Sequence, residues 1–479
     1  MNVQAVRLRN FRGFRSATLP LRPLTILLGP NSAGKSAWGH AMAAMAHAHA
    51  LYPSGDRLTL TANPTEAEEW PIDLGLLSDL RSTGTSDRVF VGLQTSEGWV
   101  DFGFGAPGLF DGSLRISQLG FPIGATASTT VPTTIDVNST VATQSIPISA
   151  ALEAPNAVSG GLRVRRRNEV EWQDLDTGDV VTVDLQGLQL IGVRHRFGGT
   201  SLSIASLASR DVAELLDRVT YLRASRQRPL RGYRRTDFVR QEIGYGGEGV
   251  ASVLLKRGTQ DIEWAIPPNA DADSPEQVRL NAPWERHQGT VSQALAWWLS
   301  YLGIAQSITP IRSPRSDSEL QLRASVHDGE SRDITEVGFG VSQVVPVITA
   351  GLTEPENGLF IVDLPEAHLH PRPQAALADF FCSLAMAGRN VIVETHSEMF
   401  FHQLRLRHEL SDELAKKIAV YFIDAPSANE CSLPRLVGMN SIEELRWPVG
   451  FLQEGWEIET RISAAREAKK RSVREGRSA

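Results

Sequence analysis

Residues 3–9 (Val3-Gln4-Ala5-Val6-Arg7-Leu8-Arg9) alternate apolar and polar side chains, the period-two pattern of a half-buried strand. The uninterrupted run Leu24-Thr25-Ile26-Leu27-Leu28 predicts a short strand buried on both faces. A glycine-containing loop follows it, and then an Ala/Met/His run from Ser36 to about residue 50 that reads as a helix. Residues 88–104 and 160–205 predict further strands, and 115–160, rich in Ser, Thr, Val and Pro, predicts strands and loops of an insertion. Helices are expected over 212–222 and 290–302, the second ending at Gly303, with a polar loop over 265–285.

After residue 320 the periods alternate. A helix over 342–352 leads to a buried strand at 359–362, a helix over about 371–387 and a second buried strand at 390–394. A helix over 398–417 and a strand at 418–423 complete the series. Strands alternating with helices imply a largely parallel sheet carrying helices, an α/β fold. No repeat of solenoid period and no sustained heptad run occurs, so an extended coiled coil is not expected. The basic tail from about residue 463 reads as a frayed helix.

Composition narrows the picture. With 479 residues, 42% hydrophobic and 22% charged, the chain can bury a large core and is globular. A net charge of −7 gives no global argument for nucleic acid, so any such contact must come from local basic patches. Cys382 and Cys431 form neither a disulfide framework nor a metal-ligand spacing. The opening strand pattern is unlike a signal peptide, and no run approaches 18 apolar residues. These features predict a cytoplasmic protein with no membrane span.

The strongest chemical signal is Gly29-Pro30-Asn31-Ser32-Ala33-Gly34-Lys35-Ser36, which matches G-x-x-x-x-G-K-[ST] between a predicted strand and a predicted helix. Glycines let the backbone curl so that N–H groups from Asn31 to Ser36 converge on phosphate oxygens, and the helix N-terminus adds favourable partial charge. Lys35 supplies a point charge to the β- and γ-phosphates of ATP, and the Ser36 hydroxyl is expected to ligate Mg²⁺. Leu359-Phe360-Ile361-Val362-Asp363 is an apolar strand ending in a carboxylate, a second magnesium ligand. Pro365-Glu366-Ala367-His368-Leu369-His370-Pro371 follows it. The next apolar strand ends in Glu394-Thr395-His396-Ser397, where His396 can reach a γ-phosphate and the attacking water. In Val337-Gly338-Phe339-Gly340-Val341-Ser342-Gln343, two glycines free the backbone. Ser342 is expected to start a helix with its hydroxyl facing outward, as a second anion site. One subunit needs only one such site, so this one is expected to clamp ATP held by a partner.

These motifs together resemble the ABC-type ATPase clan, and in detail the RecF-, SMC- and OLD-type AAA ATPases. Leu8-Arg9-Asn10-Phe11-Arg12-Gly13-Phe14, the phosphate loop with its preceding strand, the 365–371 run and 394–397 carry the resemblance. Residues 337–343 are similar to the signature loop of a bacterial AAA subgroup with a short C-terminal domain. Residues 440–451, 221–223, 229–233 and 244–248 resemble segments of that subgroup. The motifs cover roughly 1–95 and 215–455, and 100–210 matches nothing recognisable. The resemblance implies a P-loop NTPase of ABC/SMC type, with a mixed sheet flanked by helices and a β-rich insertion.

The expected organisation is an ATPase lobe at 1–100, the insertion at 101–210, a connecting lobe at 211–330, a second ATPase lobe at 331–430 and a small domain with the basic tail at 431–479. The resemblance further implies ATP and Mg²⁺ as cofactors and a head-to-tail homodimer or higher oligomer. It implies a role in genome maintenance or antiphage defence, with DNA or a separate effector protein as partner. No OLD-like Toprim nuclease domain is expected. In the usual ABC order a catalytic Glu directly follows the strand-end Asp, but Leu364 stands there, so Glu366 is the expected water-polarising residue. Slow hydrolysis, or a scaffold that holds an effector inactive, is the competing expectation.

Arg163–167 and the arginines of 223–235 read either as DNA-phosphate contacts or as solvated, ion-paired surface. His368 and His370 read as structural rather than as a metal pair, because no third ligand is suitably spaced.

Overall fold

The computed structural model describes residues 3–51, 89–96, 98–105, 115–120, 134–135, 160–166, 169–174, 180–186, 189–197, 200–204, 207–234, 243–268, 279–314, 316–326, 329–424 and 431–439. In chain order, β1 (Val3–Phe11), β2 (Phe14–Pro20) and β3 (Leu24–Leu28) precede helix α1 (Ser36–Leu51). β4 (Val89–Thr95), β5 (Gly98–Gly105), β6 (Arg115–Gly120) and β7 (Thr134–Ile135) extend the β1–β2 hairpin into an antiparallel sheet ordered β2-β1-β4-β5-β6-β7. β8 (Gly160–Arg166), β9 (Glu169–Asp174), β10 (Val180–Gln186), β11 (Gln189–Phe197) and β12 (Thr200–Ile204) form a separate meander.

Helix α2 (Leu207–Leu216) then leads into β13 (Val219–Leu222), β14 (Tyr233–Arg234) and α3 (Val250–Arg257). A hairpin of β15 (Asp261–Ile266) and β16 (Glu285–Thr290) is followed by α4 (Val291–Tyr301), β17 (Ser307–Ser313), β18 (Ser316–Ser325) and β19 (Ser331–Asp333). The rest is α5 (Phe339–Thr353), β20 (Leu359–Asp363), α6 (Pro371–Met386), β21 (Asn390–Glu394), α7 (Glu398–Leu410), α8 (Asp412–Lys417), β22 (Ile418–Ile423) and β23 (Pro434–Leu436).

The central sheet runs β13-β20-β21-β3-β22-β23. The first five strands are parallel and β23 closes the edge antiparallel. Its apolar runs have a simple cause: alternate side chains enter two different cores. Leu27, Leu359, Ile361, Ile392 and Ala419 pack beneath α1 and the antiparallel sheet. Leu24, Ile26, Phe360, Val362, Val391 and Val393 pack against α4–α7. Burying one such side chain contributes roughly 1.5–3 kcal/mol. On the helical side, the Trp298, Phe380, Phe381 and Phe400 rings meet edge-on or tilted at centroid separations of 5.2 to 5.8 Å. That layer also buries Asp379, which Arg407 grips through Nε at 2.6 Å and Nη2 at 3.1 Å. The fold is therefore a mixed α/β P-loop architecture with helices on the sheet.

Three expected elements differ. The helix expected over 212–222 ends at Leu216, and Val219–Leu222 pairs with β20, because β-branched and aromatic residues there suit an edge of the sheet. The helix expected over 398–417 is broken at Ser411, whose hydroxyl accepts from Leu414 N–H and caps a new helix. The helix expected from 342 begins at Phe339. Of the small domain and basic tail expected at 431–479, residues 440–479 lie outside the described residues, as do much of 106–159 and residues 269–278.

Glu354, at the C-terminus of α5, is a buried carboxyl pushed up to about 8 by burial, which outweighs the help of Thr220, Arg389 and Arg257. A carboxyl with a raised folded-state pKa contributes stability below its unfolded value near 4.5, and that stability is lost as pH rises through about 8. Glu354→Gln is therefore expected to exceed the unaltered chain in stability at pH 9 by on the order of 2–4 kcal/mol and to match it at pH 4.5. Urea unfolding at both pH values checks this, and an equal difference at the two refutes it.

Candidate functional site

Parallel register brings the functional residues to one edge. Asp363 lies opposite Glu394 on β21, and Glu394 lies opposite Leu27 on β3, so the loops after β20, β21 and β3 leave the sheet side by side. Such a carboxyl edge is the general ligand site of parallel α/β sheets.

The phosphate loop is built by backbone conformation. Gly29 has φ 143°, and a Cβ there would lie 2.3 Å from the Ile423 carbonyl oxygen, so only glycine fits between β3 and β22. Ser32 and Gly34 are also left-handed, at φ 63° and 99°. Asn31 and Ser32 are exposed at the tip, Ala33 is buried, and Gly34 and Ser36 are half-buried. Lys35 is buried, and its Nζ donates to the carbonyls of Gly29 at 2.9 Å and Pro30 at 2.7 Å, inside the curl of the loop. Burial lowers its pKa, and the Glu394 charge opposes the shift.

Asp363 and Glu394 share the floor of the site. Burial and then the Glu394 charge push Asp363 up to about 7, against the Tyr221 hydroxyl, which donates to its Oδ2 at 2.6 Å. Glu394 is likewise raised by burial, moderated by the Ser36 hydroxyl and Lys35. His40 Nδ1 faces Arg12 Nη1 at 2.9 Å, and a guanidinium can only donate. The His40 proton therefore sits on Nε2, 3.9 Å from Asp363 Oδ2; burial and Arg12 push that imidazole down to about 3, so it is neutral.

Glu366 is buried. Its Oε1 accepts from the His396 backbone N–H at 2.8 Å, and burial raises its pKa. The His396 ring is half-buried at the tip of β21, held neutral by burial and by Lys35.

Ser36, Asp363 and Glu394 offer hard oxygen donors, the set that suits magnesium. Among the described residues no cluster of three or more His, Cys, Asp or Glu forms a metal cage. Magnesium in such sites leans on one or two carboxylates together with substrate phosphates, so the residues present fit it. His368 and His370 are exposed.

The signature turn differs in detail from expectation. Gly338 caps α5, so Ser342 is its fourth residue, and its buried hydroxyl donates back to the Phe339 carbonyl at 2.7 Å. An outward-facing Ser342 hydroxyl is thus corrected: a serine inside a helix finds a carbonyl of the preceding turn. Gly338 and Phe339 are exposed, and Gly340 abuts the His368 carbonyl, where a Cβ would lie at 2.9 Å. The Phe339 and His368 rings meet at 4.8 Å, which seats this turn on the 365–371 loop. Gln343 is buried and donates through Nε2 to the Gln227 carbonyl at 3.3 Å.

Sequence reasoning assigned no site role to Tyr221, His40, Glu394 or Arg226. Arg226 is buried, and its Nη2 donates to the carbonyls of Asp363 at 2.8 Å and Leu364 at 3.1 Å. It divides the basic run, in which Arg223 pairs with Glu248 and Arg231 with Glu336, while Arg228 and Arg234 are exposed. Arg235, Arg167 and the side chains of Arg163, Arg165 and Arg166 lie outside the described residues.

Residues 265–401 match the family described as "AAA domain, putative AbiEii toxin, Type IV TA system". Similar solved structures include the SMC head domain from Thermotoga maritima, at 9% identity and a TM-score of 0.34, covering 91% of this chain and 100% of that chain. An SmcHead bound to the C-winged helix domain of ScpA shows 11% identity and a TM-score of 0.40, covering 93% and 99%. An Smc head domain with an extended coiled coil, bound to the C-terminal domain of ScpA derived from Pyrococcus furiosus, shows 9% identity and a TM-score of 0.40, covering 96% and 99%. No curated protein matches the sequence. Residues 265–401 thus match a model of an AAA domain, the phosphate loop and the strand order give a P-loop α/β fold, and no helix of the described residues is long and apolar enough to cross a membrane.

Tyr221→Phe removes the donor that favours ionised Asp363, so the Asp363 pKa is expected to rise above about 7. Calorimetric titration with ATP and magnesium should then show about fivefold weaker binding at pH 7, with the gap closing by about pH 9. Equal affinities at pH 7 would remove Tyr221 from the site.

Proposed function

We propose that this chain binds and hydrolyses ATP at the ends of β3, β20 and β21, and works as a head-to-tail homodimer. The observation carrying this reading is the convergence of Lys35, Ser36, Asp363, Glu394 and Glu366 on one sheet edge, behind a loop whose backbone only glycine permits at Gly29. Lys35 faces the β- and γ-phosphates. Ser36 and Asp363 hold magnesium, which would neutralise phosphate charge when bound. Glu366 polarises the attacking water, and His396, neutral at physiological pH, approaches the γ-phosphate. Leu364 cannot orient water, so turnover is slow.

The exposed first turn of α5, from Gly338 to Gly340, offers N–H groups to the triphosphate of a partner copy. Phe339, a large apolar ring 41% exposed beside it, favours a covered seam. ATP then closes the dimer through its greater affinity for the closed state. Such a nucleotide-gated switch suits bacterial genome maintenance or antiphage defence, acting with DNA or a separate effector protein. Leu364 also supports a second reading, an ATP-holding scaffold that keeps an effector inactive with little turnover.

Lys35→Ala is expected to abolish the heat of ATP binding, whereas Glu366→Gln keeps it and slows turnover about 10²-fold. Undiminished binding by Lys35→Ala would sink the ATP reading, and wild-type turnover by Glu366→Gln would remove that residue from the chemistry. Gly338 has open space around its Cβ position, so Gly338→Arg leaves the single subunit intact while obstructing the seam. Light scattering with ATP should show the unaltered chain dimerising and Gly338→Arg remaining monomeric. A variant that still dimerises overturns the head-to-tail arrangement.

A further inference from the structure

Arg226 invites a closer account than its two carbonyl contacts provide. The side chain is 6% exposed, and only Nη2 is engaged, by Asp363 and Leu364. Its Nε and Nη1 are buried without hydrogen-bond partners among the described residues, and so is Glu366 Oε2. Glu366 is also the carboxylate that acts most strongly on this guanidinium. Each buried polar group left unmatched forfeits the hydration it had in water. A clamp on two carbonyls requires a single nitrogen, yet a whole guanidinium is buried here beside an unmatched carboxylate oxygen.

The turn that Arg226 holds is itself strained. Leu364 has φ 44°, a left-handed conformation that a residue with a Cβ disfavours. It persists because Leu364 N–H donates to the Glu394 carbonyl at 2.8 Å, and its own carbonyl accepts from Ala367 N–H and from Arg226, both at 3.1 Å. The direction of this turn decides where Glu366, two residues on, points. The Arg226 backbone is fixed in turn by its neighbour, since Gln227 N–H donates to the Gly246 carbonyl at 2.8 Å and the Gln227 carbonyl accepts from Gln343.

We propose that Arg226 is a positioning residue for ATP hydrolysis: it locks the left-handed Leu364 turn so that Glu366 addresses the reacting water, and keeps a fixed positive charge beside that carboxylate. The inference rests on the reading of Glu366 as the water-polarising group. Lysine replaces it only in part, because an ammonium is a compact point charge without the shape of a planar guanidinium.

The test compares Arg226→Ala and Arg226→Lys with the unaltered chain in ATP turnover and in calorimetric affinity for ATP with magnesium. Turnover by Arg226→Ala is expected to fall about 10²-fold with affinity changed less than about threefold. Added guanidinium chloride, with sodium chloride as ionic-strength control, is expected to restore about tenfold of that loss by occupying the vacated space. A collapsed site would show no such rescue. Turnover within about threefold of the unaltered chain, or a loss that guanidinium does not relieve, overturns the proposal. If Arg226→Ala does not fold, Arg226→Lys decides: a fall of about tenfold or more at unchanged affinity supports it, and a smaller one overturns it. The parent reading fails differently, through wild-type turnover in Glu366→Gln or absent hydrolysis in the unaltered chain.

Discussion

Two carboxylates that cannot comfortably both be ionised organise this site. Asp363 and Glu394 sit opposite each other at the ends of adjacent parallel strands, both buried, and the Glu394 charge raises the cost of ionising Asp363. In a low-dielectric pocket such a pair holds a proton or a cation. The surrounding groups answer that demand with Tyr221 on Asp363, Ser36 and Lys35 on Glu394, and neutral His40 nearby. Under the proposed reading, Asp363 and Ser36 would hold magnesium there, whose positive charge would relieve the same repulsion.

The two-core construction of the sheet makes this arrangement rigid. Every described residue of β3, β20 and β21 is buried, and successive side chains enter opposite cores. A shift of one residue in any strand would exchange all of its core contacts, so register is tightly specified. Strain can then be kept at the strand ends, at Gly29, Ser32, Gly34, Leu364 and His368, without disturbing the strands that carry it.

Much of this was legible in the chain. The phosphate loop needs glycine and lysine at fixed spacing, and β20 and β21 are apolar runs ending in an acid, so local pattern sufficed. Tyr221 and Arg226 were hidden because they reach the site only by pairing of β13 with β20, across sequence separations of 142 and 137 residues. Arg226 was further disguised by arginines on both sides, a composition that normally marks a solvated face. Ser342 was misjudged because glycine caps as well as serine in the right backbone geometry, and Gly338 came first. The break at Ser411 carried the opposite lesson: a capping residue in mid-pattern, followed by Asp412 and Glu413, was a start signal passed over.

Leu364 ties these observations together. An apolar residue after Asp363 places no carboxylate on the next position, yet the chain turns left-handed there and folds back through Ala367 N–H to the Leu364 carbonyl and Leu369 N–H to the Glu366 carbonyl. That compact turn carries Glu366 to the tip of β21, where its Oε1 accepts from the His396 N–H. The same turn presents the His368 carbonyl to Gly340, so Glu366 and the Gly338–Gly340 turn share one short piece of backbone. Asp363 and the Gly338–Gly340 turn are therefore joined by a short backbone route within the same subunit. That route is a run of direct contacts whose central member, a leucine in a conformation leucine avoids, holds its shape only while its neighbours do.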